Sequence, residues 1–427
     1  MTASQALVIV GAGHAGVELA LAARQQGWSG PVELLSDEPD PPYQRQPLSK
    51  DWLCGSAGAD AILLRPAAAL EAASVRLRLQ APVAAIDAAA RAVVLRSGEL
   101  VPYRRLALCT GGRARALPDS TLPAPTLPAN VHSLRTLAEA RRIRDGLRDG
   151  AQLVVVVAGF IGLEVAASAA TLGARVTVVE TQPRVLARAT GAPVAQFYER
   201  LHRSRGVVLR TSTGVQQLLC SSDGRVHGVL CTDGTTIGAD LLVVGIGMAP
   251  NTDLASAAGL LVDGGVVVDA EGRTSDPDIF AAGDCTVVDD AVHGRTGIES
   301  VPHALEQARA AASALCGRPR SSRPAPWFWT EQFGCKLQMA GLSRGHDAVV
   351  VRGDPQGNRG FVAFYLRQGR VVAADAVQRS TEFQLLRQLV AREQIWPAKA
   401  LADESISIRN LLTVPPSTHV QPHPQGG

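Results

Sequence analysis

The stretch LVIVGAGHAGVELALAA, residues 7–23, decides how this chain is read. An apolar, β-branched run breaks at Gly11, Gly13 and Gly16 and continues as alanine-rich sequence. Strand, glycine turn and helix in that order make a seat for the pyrophosphate of a dinucleotide. The glycines allow a tight turn and a close backbone approach, and the unpaired N–H groups of the helix start face the anion. The pattern returns as LVVVVAGFIGLEVAASAA from Leu153, with Gly159 and Gly162 in the last two glycine places and Val157 in the first. One G-x-G-x-x-G is weak evidence. Two in one chain suggest two dinucleotides that must meet, and the economical reading is a flavin enzyme fed by a nicotinamide.

Each seat is followed by a second strand and an acid. After PVELLS comes Asp37, 21 residues past Gly16; after RVTVV comes Glu180, 18 residues past Gly162. A carboxylate there accepts hydrogen bonds from ribose hydroxyls. It also repels a 2′-phosphate, so Glu180 argues for NADH over NADPH. Arg184 lies nearby but need not bind a phosphate. Val157 departs from the pattern. Valine is stiff and branched, and if residue 157 needs a positive φ it is costly there. The expectation is an altered second seat rather than a dead one.

Composition bounds the rest. A chain of 427 residues allows roughly two to four domains of about 100–200 residues each. At 46% hydrophobic and 19% charged it can bury large cores. Forty-two basic against 39 acidic residues leave +3, too little to argue for nucleic acid. Arginines cluster at 141, 142, 144 and 148 and again at 309, 318, 320 and 323. They read as a solvated helix face and linker, or as a docking surface for an acidic protein. The seven cysteines form no C-x-x-C, which argues against a metal ribbon or a dithiol reductase and fits a reducing cytoplasm. The N-terminal MTASQ has no basic residue and does not read as a signal peptide. Residues 153–173 are apolar enough to suggest a membrane span, but Glu164 near the middle would cost about 2.5–3.5 kcal/mol there. A buried strand turning into a helix explains them better.

The expected fold class is α/β: two Rossmann-like dinucleotide-binding domains plus a C-terminal α+β domain. Residues 1–116 and 244–322 form the first domain, with the second, 117–243, inserted into it. The α+β domain spans 323–412, and 413–427 read as a disordered tail. A helix should start near Pro302, because proline suits a first helical turn.

The ordered blocks GAGHAG, PYQRQPLSK, CTGGR, GFIGLE, VGIGMAPNTDLA, DIFAAGDC, ESVPHALEQA and PWFWTEQF resemble the FAD-dependent NADH:ferredoxin or rubredoxin reductases of bacterial oxygenase systems, the putidaredoxin-reductase-like family. The resemblance covers about residues 5–412. It implies FAD on the first domain, NADH on the second, and a C-terminal domain that helps form the partner surface.

Several site residues follow from the resemblance. Gly11, Gly13, Ala15 and Gly16 lie in the FAD turn, and Asp37 holds the adenosine ribose. Val83 matches the position that meets adenine through backbone groups. Arg45 and Lys50 match the two basic residues beside the flavin, and Arg135 matches a further FAD contact. Thr110, Gly111 and Gly247 join the cofactor-binding set. Asp284 matches the carboxylate on a ribityl hydroxyl, and Val301 offers an N–H toward the flavin pyrimidine edge. Gly159, Phe160, Ile161, Gly162 and Glu180 belong to the NADH seat. Lys50 and Glu164 are the candidate catalytic residues, implied to pair at the flavin N5 side. Trp327 and Trp329 match a tryptophan pair near flavin and partner, and Trp329 is placed in the cofactor set. No metal ligand is expected.

The activity implied is an NADH:ferredoxin oxidoreductase passing electrons through FAD to a small acidic [2Fe–2S] ferredoxin, or a rubredoxin, that feeds a cytochrome P450 or ring-hydroxylating dioxygenase. Two other readings compete. One is an NADH oxidase or peroxidase using Cys54. The other is a weakly turning-over NADH-binding flavoprotein with a signalling role, which Val157 keeps in play.

Overall fold

The computed structural model describes residues 5–122, 127–290, 294–318, 325–357 and 359–413. Two compact units are present. The first comprises Met1–Ala116, Ser133–Arg144 and Ile246–Ser322; the second comprises Leu117–His132, Asp145–Gly245 and Arg323–Gly427. Arg135 therefore groups with the first unit. The tail read from 413 onward, together with Arg320 and Arg323, lies outside the described residues, Thr413 excepted.

The first unit is built on a parallel five-stranded sheet. Leu7–Val10 lies at its centre between Val32–Leu35 and Arg105–Leu108, with Val75–Arg78 and Ile279–Ala281 at the edges. The central strand is an unbroken apolar run because both its faces are covered. Leu7 and Ile9 join one core, and Val8 and Val10 join the other. In the first core the helices His14–Gln25 and Val301–Leu315 pack on each other through Ala15, Ala20 and Ala23 against Ala304, Ala308, Ala311 and Ala312. The second of these helices starts where Pro302 places it. Ser300 caps it by accepting from the His303 N–H at 3.2 Å.

The second unit repeats the plan. Gln152–Val156 is flanked in parallel by Arg175–Val179 and Leu241–Val244, with Val208–Arg210 beyond. The C-terminal part is an antiparallel five-stranded sheet in the order Trp327–Gln332, Cys335–Gly341, Arg370–Val377, Phe361–Arg367, Ala348–Gly353. The helix Phe383–Ala391 buries Phe383, Leu386, Leu389 and Val390 in the same core as Ala340, Phe364, Ala374 and Ala376 from this sheet. The fold is thus α/β with two Rossmann-like sheets and an α+β C-terminal domain. Among the described residues no helix is long and apolar enough to cross a membrane.

Candidate functional site

In the first seat Gly11 has φ +106°, and a Cβ there would stand 2.2 Å from the Cys109 carbonyl oxygen. A Cβ on Gly16 would stand 1.8 Å from the Gly11 carbonyl oxygen. Both positions therefore demand glycine. Gly13 is different: a Cβ there meets nothing within 4 Å, and no side chain caps the helix that it begins. Open space before uncapped N–H groups fits a dinucleotide pyrophosphate.

Around this turn the first unit gathers several of the expected residues. His14 is pushed down to about 4, first by burial and then by the Arg45 and Arg135 charges, while Asp284 pulls the other way. Arg135 donates to Asp284 Oδ2 at 2.8 Å and to the Gly112 carbonyl at 3.1 Å. Arg45 donates to Glu38 Oε1 at 2.6 Å and to the Arg135 carbonyl at 2.7 Å. Tyr43 donates to the other Glu38 oxygen and accepts from the Leu137 N–H. Burial, ahead of the charges nearby, pushes the Tyr43 hydroxyl up. Thr110 donates to the Asn251 carbonyl at 2.7 Å, and the Asn251 N–H donates to the Gly111 carbonyl. Gly111 and Gly247 both have positive φ. Lys50 is half-buried and donates from Nζ to the Gln46 carbonyl at 3.2 Å. Asp37 is exposed just past its strand, Val83 opens the strand Val83–Asp87, and Val301 begins its helix.

In the second seat Val157 has φ +83°, the left-handed region that glycine favours. A Cβ on Gly162 would stand 2.2 Å from the Val157 carbonyl oxygen, so the last glycine is obligatory here too. Gly159 starts the helix Phe160–Thr171 with no side-chain cap. Glu180 is 6% exposed. Its Oε2 accepts from the Ala158 N–H at 2.7 Å, and its Oε1 accepts from the Gln182 N–H at 2.8 Å. The acid thus braces the turn that it follows. Arg184 is held within its own loop by the Ala187 and Thr190 carbonyls. Ile161 is exposed, and Phe160 packs on Phe328 at 4.8 Å. Glu164 is buried, and its Oε1 accepts from Thr330 Oγ1 at 2.6 Å. Trp329 lies 5.4 Å from Trp327, which packs on Phe383 and carries Arg387 over its ring.

The first seat is thus assembled within one unit, whereas Lys50 belongs to the first unit and Glu164 to the second. Sequence reasoning missed Glu38, Tyr43, Glu299 and Thr330. Tyr43 and Arg45 were legible as a pair in PYQR. Glu299 was not: its carboxyl is pushed up, chiefly by burial and then by Asp284, and only the fold brings it near that residue.

The pyridine nucleotide-disulphide oxidoreductase family matches residues 5–308, and the reductase C-terminal family matches residues 327–412. Putidaredoxin reductase of Pseudomonas putida is 43% identical over 414 residues, covering 96% of this chain and 98% of that protein. The chain belongs to the putidaredoxin-reductase-like ferredoxin reductases. Within that family, the ferredoxin–NAD(+) reductase component of the anthranilate 1,2-dioxygenase system of Burkholderia cepacia is 40% identical over 410 residues, covering 95% of this chain and 98% of that protein. The reductase chain in the crystal structure of the covalent putidaredoxin reductase–putidaredoxin complex superposes with a TM-score of 0.92 at 42% identity, covering 96% of this chain and 99% of that one. These ferredoxin reductases support the electron-transfer reading and not the one built on Cys54.

Proposed function

We propose that this protein carries electrons from NADH through FAD to a small [2Fe–2S] ferredoxin serving an oxygenase, either a cytochrome P450 or a ring-hydroxylating dioxygenase. The observation that carries the reading is the presence of two separate dinucleotide seats in one chain, each with an open helix start and an acid after the next strand. Bound FAD supplies the conversion of a two-electron donor into one-electron steps. The protein supplies binding, orientation and field.

Gly11, Gly13 and Gly16 admit the FAD pyrophosphate, and Asp37 takes the adenosine ribose. Arg45, Arg135 and Asp284 would line the flavin side of the seat, and the N-terminal N–H groups of the helix beginning at Val301 would favour negative charge there. Gly159, Gly162 and Glu180 take NADH, and Glu180 disfavours a 2′-phosphate. Lys50 contributes positive charge beside the flavin, and Glu164 contributes a fixed acceptor beside the nicotinamide. The partner is a small acidic ferredoxin. Seven free cysteines support placing the protein in a reducing cytoplasm.

Mixing the flavin-loaded protein anaerobically with NADH tests this reading. Fast loss of the oxidised-flavin absorbance, much slower with NADPH, followed by reduction of an added [2Fe–2S] ferredoxin, is the expected result. A flavin that NADH leaves oxidised overturns it.

A further inference from the structure

Four buried side chains of the second unit form one hydrogen-bonded run. On the strand Trp327–Gln332, alternate residues share a face. Phe328, Thr330 and Gln332 make up one such set, and each meets a helix of the dinucleotide domain. Phe328 packs on Phe160. Thr330 Oγ1 lies 2.6 Å from Glu164 Oε1 in the same helix. Gln332 Oε1 lies 2.8 Å from His202 Nε2, at the end of the helix Ala192–Ser204. Gln332 Nε2 donates to Thr330 Oγ1 at 3.3 Å, which closes the run. None of the four is more than 4% exposed.

With the Gln332 amide oxygen turned to His202, the groups give the run a direction. The Gln332 carbonyl oxygen only accepts, so His202 Nε2 carries the hydrogen and Nδ1 carries the lone pair. Nδ1 has no hydrogen-bond partner among the described residues. Burial pushes His202 down to about 4, so the ring is neutral near pH 7. The Gln332 amide then gives a hydrogen to Thr330, whose single hydroxyl hydrogen is left for Glu164. Every hydrogen points toward that carboxylate.

We infer that Thr330 is a positioning residue that aims Glu164, with Gln332 and His202 holding the Thr330 hydroxyl in its donating orientation. The inference rests on the role proposed for Glu164. It makes the C-terminal sheet a structural part of the nicotinamide site.

Three measurements on the full-length, flavin-loaded protein test it. In nitrogen NMR the His202 ring is expected as the Nε2–H tautomer, and the Nδ1–H tautomer overturns the direction of the run. In urea unfolding, T330V and E164Q are expected to be non-additive, and additivity overturns the coupling. In stopped-flow reduction by NADH, T330V is expected to lower the limiting rate by about tenfold with NADH affinity within about twofold, and T330S to restore it. A slow E164Q beside a T330V as fast as the parent protein overturns the Thr330 inference alone. An E164Q as fast as the parent overturns the Glu164 reading itself.

Discussion

The two dinucleotide seats share one plan and solve its first turn differently. In the first, Gly11 sits at φ +106° with the Cys109 carbonyl so close that no side chain fits. In the second, Val157 takes φ +83° and carries a branched side chain. The strand register makes Gly245 the counterpart of Cys109, since each donates its N–H to the last residue of the central strand, Val156 or Val10. The open space also differs. A Cβ on Gly13 meets nothing within 4 Å, whereas one on Gly159 would find Val157 Cγ1 at 4.0 Å. The second seat therefore carries a branched side chain beside its helix start and holds a residue in a conformation costing about 1–3 kcal/mol. A brace accompanies the strain: Glu180 accepts from the Ala158 N–H beside the strained residue. No such brace is needed at Gly11, because glycine adopts that φ freely. The obligatory feature of both seats is the last glycine, where helix meets turn.

Exchanging the first residues gives the largest test of this contrast. G11V should cost about 3 kcal/mol or more, from a backbone clash added to backbone strain. It should abolish flavin retention, read as the flavin-to-protein absorbance ratio after purification. A G11V protein that keeps its flavin would mean the two turns are interchangeable. Next in size, E180A removes the acceptor of a buried N–H and should destabilise the second unit by about 1–3 kcal/mol. It should also narrow the NADH-over-NADPH preference, measured as the ratio of kcat/KM values. An unchanged ratio would leave Glu180 a brace and nothing more. V157G works in the opposite direction. Relief of strain, less about 0.5–1 kcal/mol for glycine's chain entropy, should stabilise the protein by about 1 kcal/mol. Tm should rise by about 2–4 °C, and NADH should bind more tightly.

A separate test concerns how the second seat is tied to the rest of its unit. The Gly191 N–H, at the end of the loop that follows Glu180, donates to Tyr365 Oη at 2.7 Å, and Tyr365 donates to Asp375. Burial pushes the Asp375 carboxyl up to about 7 from an ordinary 3.8. The folded protein therefore keeps a proton that the unfolded chain gives up above about pH 4. Stability from this group is fully present below that pH and is lost as pH rises through about 7. D375N keeps a neutral acceptor for Tyr365, so the decline in Tm between pH 4 and 7 should flatten. An unchanged slope would show that Asp375 does not titrate in this range.

Much of this molecule was legible without its coordinates, and the reason is locality. The glycine turns, the alanine-rich helices, the Pro302 helix start and the acids at 37 and 180 are short-range patterns. A strand, a turn and a helix that adjoin in sequence also adjoin in space. Even the cost of Val157 followed from the geometry of its turn, although only the structure supplied the sign of φ. The family resemblance carried by PYQRQPLSK and GFIGLE implied Arg45 and Glu164 as candidates. Their partners were another matter. Glu38 on Arg45, Asp284 on Arg135, Thr330 on Glu164 and Gly191 on Tyr365 are contacts that no spacing encodes.

By itself, then, the sequence determined the two seats, their order, the α/β class and the family to which the chain belongs. Tertiary structure alone decided which charges face one another, that Glu180 braces its own turn, and that a threonine from the C-terminal sheet reaches Glu164. The physical reason is that backbone conformation responds to neighbouring residues, whereas the pairing of buried polar groups is settled only when distant segments pack and each donor must find an acceptor.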